Sequence, residues 1–374
     1  MKNPFRFGGV VQGEQFCPRP DLTKALLGHI DNGQNCYVQG KRRTGKTSLI
    51  CEAARQAGAR MIYVDLMEAK SPEDFARRLL ASILTLERES FVGKAMKIFA
   101  SLRPSFGVDP ITGLPTINFN FAAPVEPESV AAALDLVPGL RRKGKPLVVI
   151  FDEFQDVLKM GEATSKKLLA ALRSKIQFHE DIPYIFSGSD RHDMDRIFID
   201  PESAFFKSAV LVEVGPIPRK RFTAFLEEKF VQSGRTINVD LLDRIFEICL
   251  DIPGDVQQLC RALWELGEER LETDSLTRAL EVIWSQELKG YETALQMLSA
   301  QQFKVLSTIA RIGGNAPTSA AFLREAGGLM PSSAKSALGR LLALRLVFYY
   351  RGEYRFVNPF FRAWLMAWEG GEAG

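Results

Sequence analysis

Residues 35–50 read NCYVQGKRRTGKTSLI. Gly40, four intervening residues and then Gly45-Lys46-Thr47 satisfy GxxxxGK[ST], the pattern of a loop that cradles phosphate groups. Its context fits. Cys36-Tyr37-Val38 ahead of it is a short apolar strand, and Ser48–Gln56 behind it has the composition of a helix. Glycines let the backbone curl so that successive N–H groups converge on an anion at the positive end of that helix. In such a loop Gly40, Arg43, Thr44, Gly45, Lys46, Thr47 and Ser48 hold the nucleotide, Lys46 reaching the β- and γ-phosphates and the Thr47 hydroxyl ligating Mg²⁺.

The strand-and-helix rhythm continues outward from this loop. MIYVDL at 61–66 is a second strand, and Ser71-Pro72-Glu73-Asp74 opens a helix expected to run to about residue 89. PLVVIFDEFQD, ending at Asp156, is a near-continuous apolar run closing on Asp152-Glu153, as expected of a strand buried on both faces with its carboxyl end at a ligand crevice. About a hundred residues after a phosphate loop, that acidic pair reads as Walker B: Asp152 holds Mg²⁺ through water and Glu153 polarises the attacking water. IPYIFSGS, ending at Ser189, is a fourth strand, and AVLVEVG at 209–215 a fifth. Ser189, ahead of Ser187, is the candidate contact to the γ-phosphate and the water. The fold class expected is α/β, a P-loop core on a five-stranded parallel sheet spanning 1–216. Turn signals at Asp109-Pro110 and Thr112-Gly113 insert a hairpin at about 103–122.

Residues 217–298 show helical periodicity and predict an all-helical lid. From Ser299 to the end, three helices are followed by LVFYYR and EYRFVN joined at Gly352-Glu353, the order of a winged helix whose third helix enters a DNA groove. Charge follows this division. Residues 301–374 hold 9 Lys and Arg against 4 Asp and Glu, an excess of +5 in a chain of net +3. Candidate phosphate contacts to double-stranded DNA are therefore Lys335, Arg340, Arg351 and Arg355. The competing reading turns Arg340 and Arg345 back toward the lid, to pair with acidic residues such as Glu227, Glu228 or Glu265, and the bland reading is a winged helix that docks on a protein partner or on itself. The terminal NPFFRAWLMAW, ending at Trp368, is read as an aromatic helix packed on this domain.

Composition excludes other classes. With 46% hydrophobic residues, 25% charged and no apolar run of membrane-spanning length, the chain is expected to be a cytoplasmic protein with no membrane partner. Five scattered cysteines give neither a disulfide framework nor a zinc site.

GKRRTGKTSLI, VVIFDEFQ, FSGSDRHDMDRIF, IPGDVQQLCRALWE and VNPFFRAWL, in this order, resemble the archaeal-type ATPase family, in the STAND branch of the AAA+ group and related to origin-recognition-type initiators. The resemblance implies that ATP or ADP with Mg²⁺ binds between core and lid. It also places FCPRPDL, 16–22, at a nucleotide-contacting box, with Pro18 where the family has Gly and Arg19 retained beside the ribose or phosphates. Gln257 stands where a lid arginine usually approaches the γ-phosphate, and Lys207 where relatives carry an arginine; Arg191 and Arg196 are candidate fingers for a neighbouring subunit. Lysine lacks the planar bidentate fork. The resemblance thus implies slow hydrolysis and a nucleotide-dependent switch, with an ATP-controlled DNA-binding initiator or a nucleotide-locked scaffold of negligible turnover as alternatives.

Overall fold

The computed structural model describes residues 2–87, 102–108, 115–350 and 352–371. They fall into two compact units, Val10–Gly215 and a second made of Met1–Gly9 with Pro216–Gly374. A 1–216 core thus differs from the first unit at its start, because the N-terminal residues pack elsewhere. Phe5 is buried with its ring 4.5 Å from Phe230, and the Asn3 amide donates to the Arg261 carbonyl at 3.2 Å.

The first unit runs α1 (Pro20–Asp31), β1 (Cys36–Gln39), α2 (Lys46–Gln56), β2 (Arg60–Asp65), α3 (Pro72–Leu86), β3 (Leu102–Val108), β4 (Pro115–Phe121), α4 (Pro127–Ala133), β5 (Leu147–Asp152), α5 (Glu162–Ile176), β6 (Tyr184–Gly188), α6 (Arg191–Phe198) and β7 (Val210–Glu213). Five strands form one sheet in the order β2-β5-β6-β1-β7, every pairing parallel. Side-chain alternation on β5 divides the core between the two faces. Val149 and Phe151 join Ile62, Phe75, Phe154 and Phe186 on one side. Val148 and Ile150 join Val38, Leu49, Ile50 and Val212 on the other. A strand buried on both faces must read as a continuous apolar run, and every residue of LVVIFD is buried.

Helix starts follow local chemistry. The Ser71 hydroxyl accepts the Asp74 N–H, with Pro72 at the first turn and Glu73 and Asp74 against the positive end of α3. The expected hairpin is β3 paired antiparallel with β4, Leu102 opposite Phe121 and Val108 opposite Pro115; its turn signals at 109–114 lie outside the described residues. Phe119 anchors it by inserting into the first core face.

The second unit runs α7 (Arg219–Gln232), β8 (Thr236–Ile237), α8 (Val239–Ile248), α9 (Pro253–Glu265), β9 (Arg270–Leu271), α10 (Thr273–Gln296), α11 (Ala300–Ile312), β10 (Gly314–Asn315), α12 (Ala320–Glu325), α13 (Pro331–Ala343), β11 (Val347–Tyr350), β12 (Glu353–Phe356) and α14 (Pro359–Glu369). The 217–298 stretch is not all helical, since β8 and β9 pair in parallel; two-residue strands leave no periodicity to read. The wing likewise gains a third strand, β10, beside β12. There Gly314 is obligatory, because a Cβ would lie 2.0 Å from the Tyr354 carbonyl oxygen. Helix α14 is capped by Asn358, which accepts the Phe360 and Phe361 N–H groups. Its Phe361, Trp364 and Leu365 enter a core with Tyr291, Val305 and Leu338. Among the described residues no helix is long and apolar enough to cross a membrane.

Candidate nucleotide site

The parallel register brings the carboxyl ends of β1, β5 and β6 together, with Gln39 opposite Gly188 and Phe151 opposite Phe186. The phosphate loop leaves β1 here. Gly40 has no room for a side chain, since a Cβ would lie 2.5 Å from the Val214 carbonyl oxygen. Gly45 sits at φ 83°, a left-handed conformation glycine adopts without penalty, and starts α2. Arg43 is also left-handed, at φ 62°. The Thr44 hydroxyl donates to the Lys41 carbonyl at 2.8 Å and braces the turn from within.

Lys46 is the most telling group in the loop. It is buried, and its ammonium donates to the Lys41 carbonyl at 2.9 Å. Among the described residues no carboxylate lies within salt-bridge distance of it. Burial lowers its pKa, a loss that attraction to Glu153 and Asp152 only partly offsets. A buried, incompletely compensated cation in a backbone cradle suits a polyanion.

Opposite it lies a set of oxygens. The Thr47 hydroxyl donates to Asp152 Oδ2 at 2.7 Å, the Tyr63 phenol donates to the same oxygen at 2.8 Å, and the Glu153 N–H donates to Oδ1 at 3.1 Å. Burial and the Asp152 charge raise the Tyr63 pKa, so the phenol acts as a donor. A hydroxyl and a carboxylate side by side are the hard ligands that Mg²⁺ takes while keeping several of its waters. The residues present fit Mg²⁺ with a nucleoside triphosphate.

Glu153 follows at φ 50°. A non-glycine residue in this region carries backbone strain, which clusters where a side chain must be aimed. Its Oε2 accepts from the Ser189 hydroxyl and from Gln155 Nε2, each at 2.6 Å. Gly188 makes room for this, because a Cβ there would fall 2.7 Å from Gln155 Oε1 and 2.4 Å from Met194 Sδ. Of the two serines, Ser189 meets Glu153, whereas Ser187 is fully buried with its hydroxyl unpartnered among the described residues.

Other expected residues are placed differently. Arg19 is buried, donating from Nη2 to the Thr44 carbonyl at 2.7 Å and from Nη1 to the Gly215 carbonyl at 3.1 Å. Desolvation brings its pKa down to about 10, which leaves it charged. It braces the phosphate loop through the Thr44 carbonyl. The Ser48 hydroxyl accepts the Val11 N–H at 3.1 Å, and Glu52 on the same helix accepts the Gly13 N–H at 2.9 Å. Segment 11–13 is thus stapled to α2. Lys207 is exposed at φ 52° with its ammonium 5.1 Å from the Phe206 ring, and among the described residues it bonds to none of the loop. Arg191 lies 3.7 Å from both Asp195 and Glu213, and Arg196 lies 3.3 Å from Asp193.

On the winged helix, Lys335 and Arg340 are exposed on α13 and Arg345 follows it, with no ion pair among the described residues. The alternative pairing with Glu227, Glu228 or Glu265 is absent there; Glu228 accepts from Gln232 and Glu265 pairs with Arg261. Arg355 is not a free wing cation. It holds Glu353 at 2.5 Å. Arg351 lies outside the described residues.

Comparison with known proteins agrees with this architecture. An AAA domain matches residues 30–194, and a probable winged helix domain matches 289–367. No curated protein matches in sequence. Among solved structures, a Walker-type ATPase of Pyrococcus abyssi is similar over 97% of this chain and 99% of its own, at TM-score 0.66 and 20% identity. The ORC2 protein of Aeropyrum pernix is similar over 94% of this chain and 93% of its own, at TM-score 0.51 and 17% identity. ORC1 of the same organism, solved in complex with DNA, is similar over 95% and 93%, at TM-score 0.50 and 16% identity. At these identities the likeness is one of fold. The chain carries an AAA domain over residues 30–194 and a winged helix domain over residues 289–367.

Proposed function

We propose that this protein binds ATP with Mg²⁺, hydrolyses it slowly, and uses the bound nucleotide as a switch whose output is the winged helix. The observation that carries the reading is that the loop holding the buried Lys46 leaves β1 beside the ends of β5 and β6, where the Thr47 hydroxyl meets Asp152 at 2.7 Å and the Ser189 hydroxyl meets Glu153 at 2.6 Å. Gly40, Arg43, Thr44, Gly45, Lys46 and Thr47 form the phosphate cradle, Thr47 and Asp152 face the metal, and Glu153 orients the water with Ser189 beside it. Mg²⁺ held by Thr47 and Asp152 would supply charge neutralisation to the phosphates. Slow turnover is supported by what surrounds the cradle. Lys207 is engaged by its own neighbour, Arg19 is committed to backbone carbonyls, and an arginine finger is worth 10³–10⁵ in rate where one operates. The direct test is equilibrium binding of ATP and ADP to the full chain together with multiple-turnover hydrolysis. We expect Mg²⁺-dependent binding and turnover at or below about 10⁻² s⁻¹ without a partner. Absence of nucleotide binding removes the reading.

A second reading is favoured by the winged helix surface, where Lys335, Arg340 and Arg345 are exposed and, among the described residues, without an ion pair; a structural relative, ORC1 of Aeropyrum pernix, was solved with DNA. Each phosphate contact contributes about one unit to the slope of log affinity against log salt. Duplex binding by the full chain is therefore expected to weaken steeply between 50 and 200 mM salt. The Lys335→Glu, Arg340→Glu variant should lose at least tenfold in affinity at low salt. Equal binding by variant and wild type would move the output to a protein partner.

A further inference from the structure

We propose that Tyr63 is a positioning residue on the metal side of this site: its phenol fixes the Asp152 carboxylate and thereby sets how much Mg²⁺ the protein needs to bind nucleotide. The inference rests on the reading of Asp152 as the carboxylate that faces Mg²⁺.

The warrant is a chain of placements. Among the described residues β2 is an edge strand paired with β5, with Tyr63 opposite Ile150 and Asp65 opposite Asp152. Tyr63 is therefore one side-chain repeat short of the end of the Walker B strand. From there its long side chain spans to the carboxylate and donates to Oδ2 at 2.8 Å. Thr47 reaches the same oxygen from α2 at 2.7 Å. The Glu153 N–H takes the other oxygen at 3.1 Å. A carboxylate offers about four lone-pair directions, and three are claimed here by donors from three separate elements. That arrangement locks both the position and the tilt of the group. Removing the phenol leaves Thr47 and the Glu153 N–H as the remaining holds, so the last torsion of Asp152, a broad two-fold well by itself, is less tightly fixed.

Carboxylates that serve a metal are routinely held by outer hydrogen bonds, and loss of such a partner costs about 10–100-fold in metal affinity. The ring of Tyr63 has a separate job, packing against the core cluster that contains Leu49, Ile50 and Val148. Tyr63→Phe keeps that packing and deletes only the donor.

The experiment measures affinity of the full chain for a fluorescent ATP analogue, mant-ATP, in EDTA and across a Mg²⁺ titration, for wild type, Tyr63→Phe and Asp152→Asn. Thermal unfolding of each nucleotide-free protein is recorded alongside. Expected for Tyr63→Phe are an unchanged melting temperature, an unchanged affinity in EDTA, and a Mg²⁺ half-effect concentration raised about tenfold. Asp152→Asn should show a larger rise. A Mg²⁺ titration of Tyr63→Phe that coincides with wild type overturns the proposal while leaving the nucleotide site standing. An equal loss of affinity with and without Mg²⁺ also overturns it, since that marks a structural role for the hydroxyl. If wild type itself shows no Mg²⁺-dependent binding, the parent reading falls first and this one with it.

Discussion

Lys46→Ala is expected to abolish Mg-ATP binding without unfolding the protein. The ammonium is buried and donates to the Lys41 carbonyl. Attraction from Glu153 and Asp152 does not fully offset its desolvation, and its pKa is lowered as a result. A lysine whose pKa falls on folding binds fewer protons in the native state than in the unfolded chain. Folding then loses stability as pH drops through the folded pKa, and it regains that stability as pH rises above the unfolded one. At neutral pH the charge therefore works against the nucleotide-free fold. Alanine removes the burden, so the melting temperature should not fall by more than the loss of a few methylene contacts allows. Toward a triphosphate the sign reverses. Truncating one partner of a buried charge pair costs about 2–5 kcal/mol, which is about 30- to 5,000-fold in affinity. Titration calorimetry with Mg-ATP and a thermal melt of the nucleotide-free protein decide the matter. Near-wild-type affinity in a folded variant would remove Lys46, and with it the loop, from the nucleotide site.

The contrast between Lys46 and Arg19 shows what a sequence can and cannot tell. Lys46 has its meaning fixed by Gly40 and Gly45 a few residues away, because local backbone geometry alone directs it into the loop. Arg19 has no such local frame. Its guanidinium is claimed by the carbonyls of Thr44 and Gly215, the latter almost two hundred residues distant, and nothing in FCPRPDL foretells those partners. The same distinction separates strands from strand order. LVVIFD is legible as a doubly buried strand because burial on both faces demands an unbroken apolar run. That β2 pairs with β5, and so brings Tyr63 to Asp152, depends on which strands meet. MIYVDL gives no hint of it. Gln155 stood within DEFQ, yet its amide meets Glu153 only because the chain turns at a left-handed residue where an extended strand was the natural expectation. The N-terminal residues fall within the 1–216 core expected from the sequence, but Phe5 packs on Phe230; a single aromatic residue has no periodicity from which its destination could be read.

Glu153→Gln should retain nucleotide binding and lose turnover. In the native site Oε2 of Glu153 receives two donors, the Ser189 hydroxyl and Gln155 Nε2, each at 2.6 Å. An amide has one acceptor and one donor end. To keep both incoming hydrogen bonds, the substituted side chain must present its oxygen to Ser189 and Gln155, which leaves an NH₂ group where the second carboxylate oxygen stood. That group donates; it neither accepts a proton from water nor orients one by accepting its O–H. The substitution is nearly isosteric, and the strained backbone at φ 50° is held by the residues around it, so the phosphate cradle and the Thr47–Asp152 pair remain as they are. Positioned general-base catalysis contributes about 10²–10⁴-fold. Steady-state hydrolysis by Glu153→Gln is expected to fall by that factor while the Kd for ATP changes less than about threefold. The informative measurement pairs single-turnover hydrolysis with nucleotide affinity on the same preparation. Unchanged turnover would mean that another group orients the water and that Ser189 and Gln155 restrain Glu153 for a structural reason. Loss of both binding and turnover would place the Glu153 charge among the contacts that hold the loop in shape.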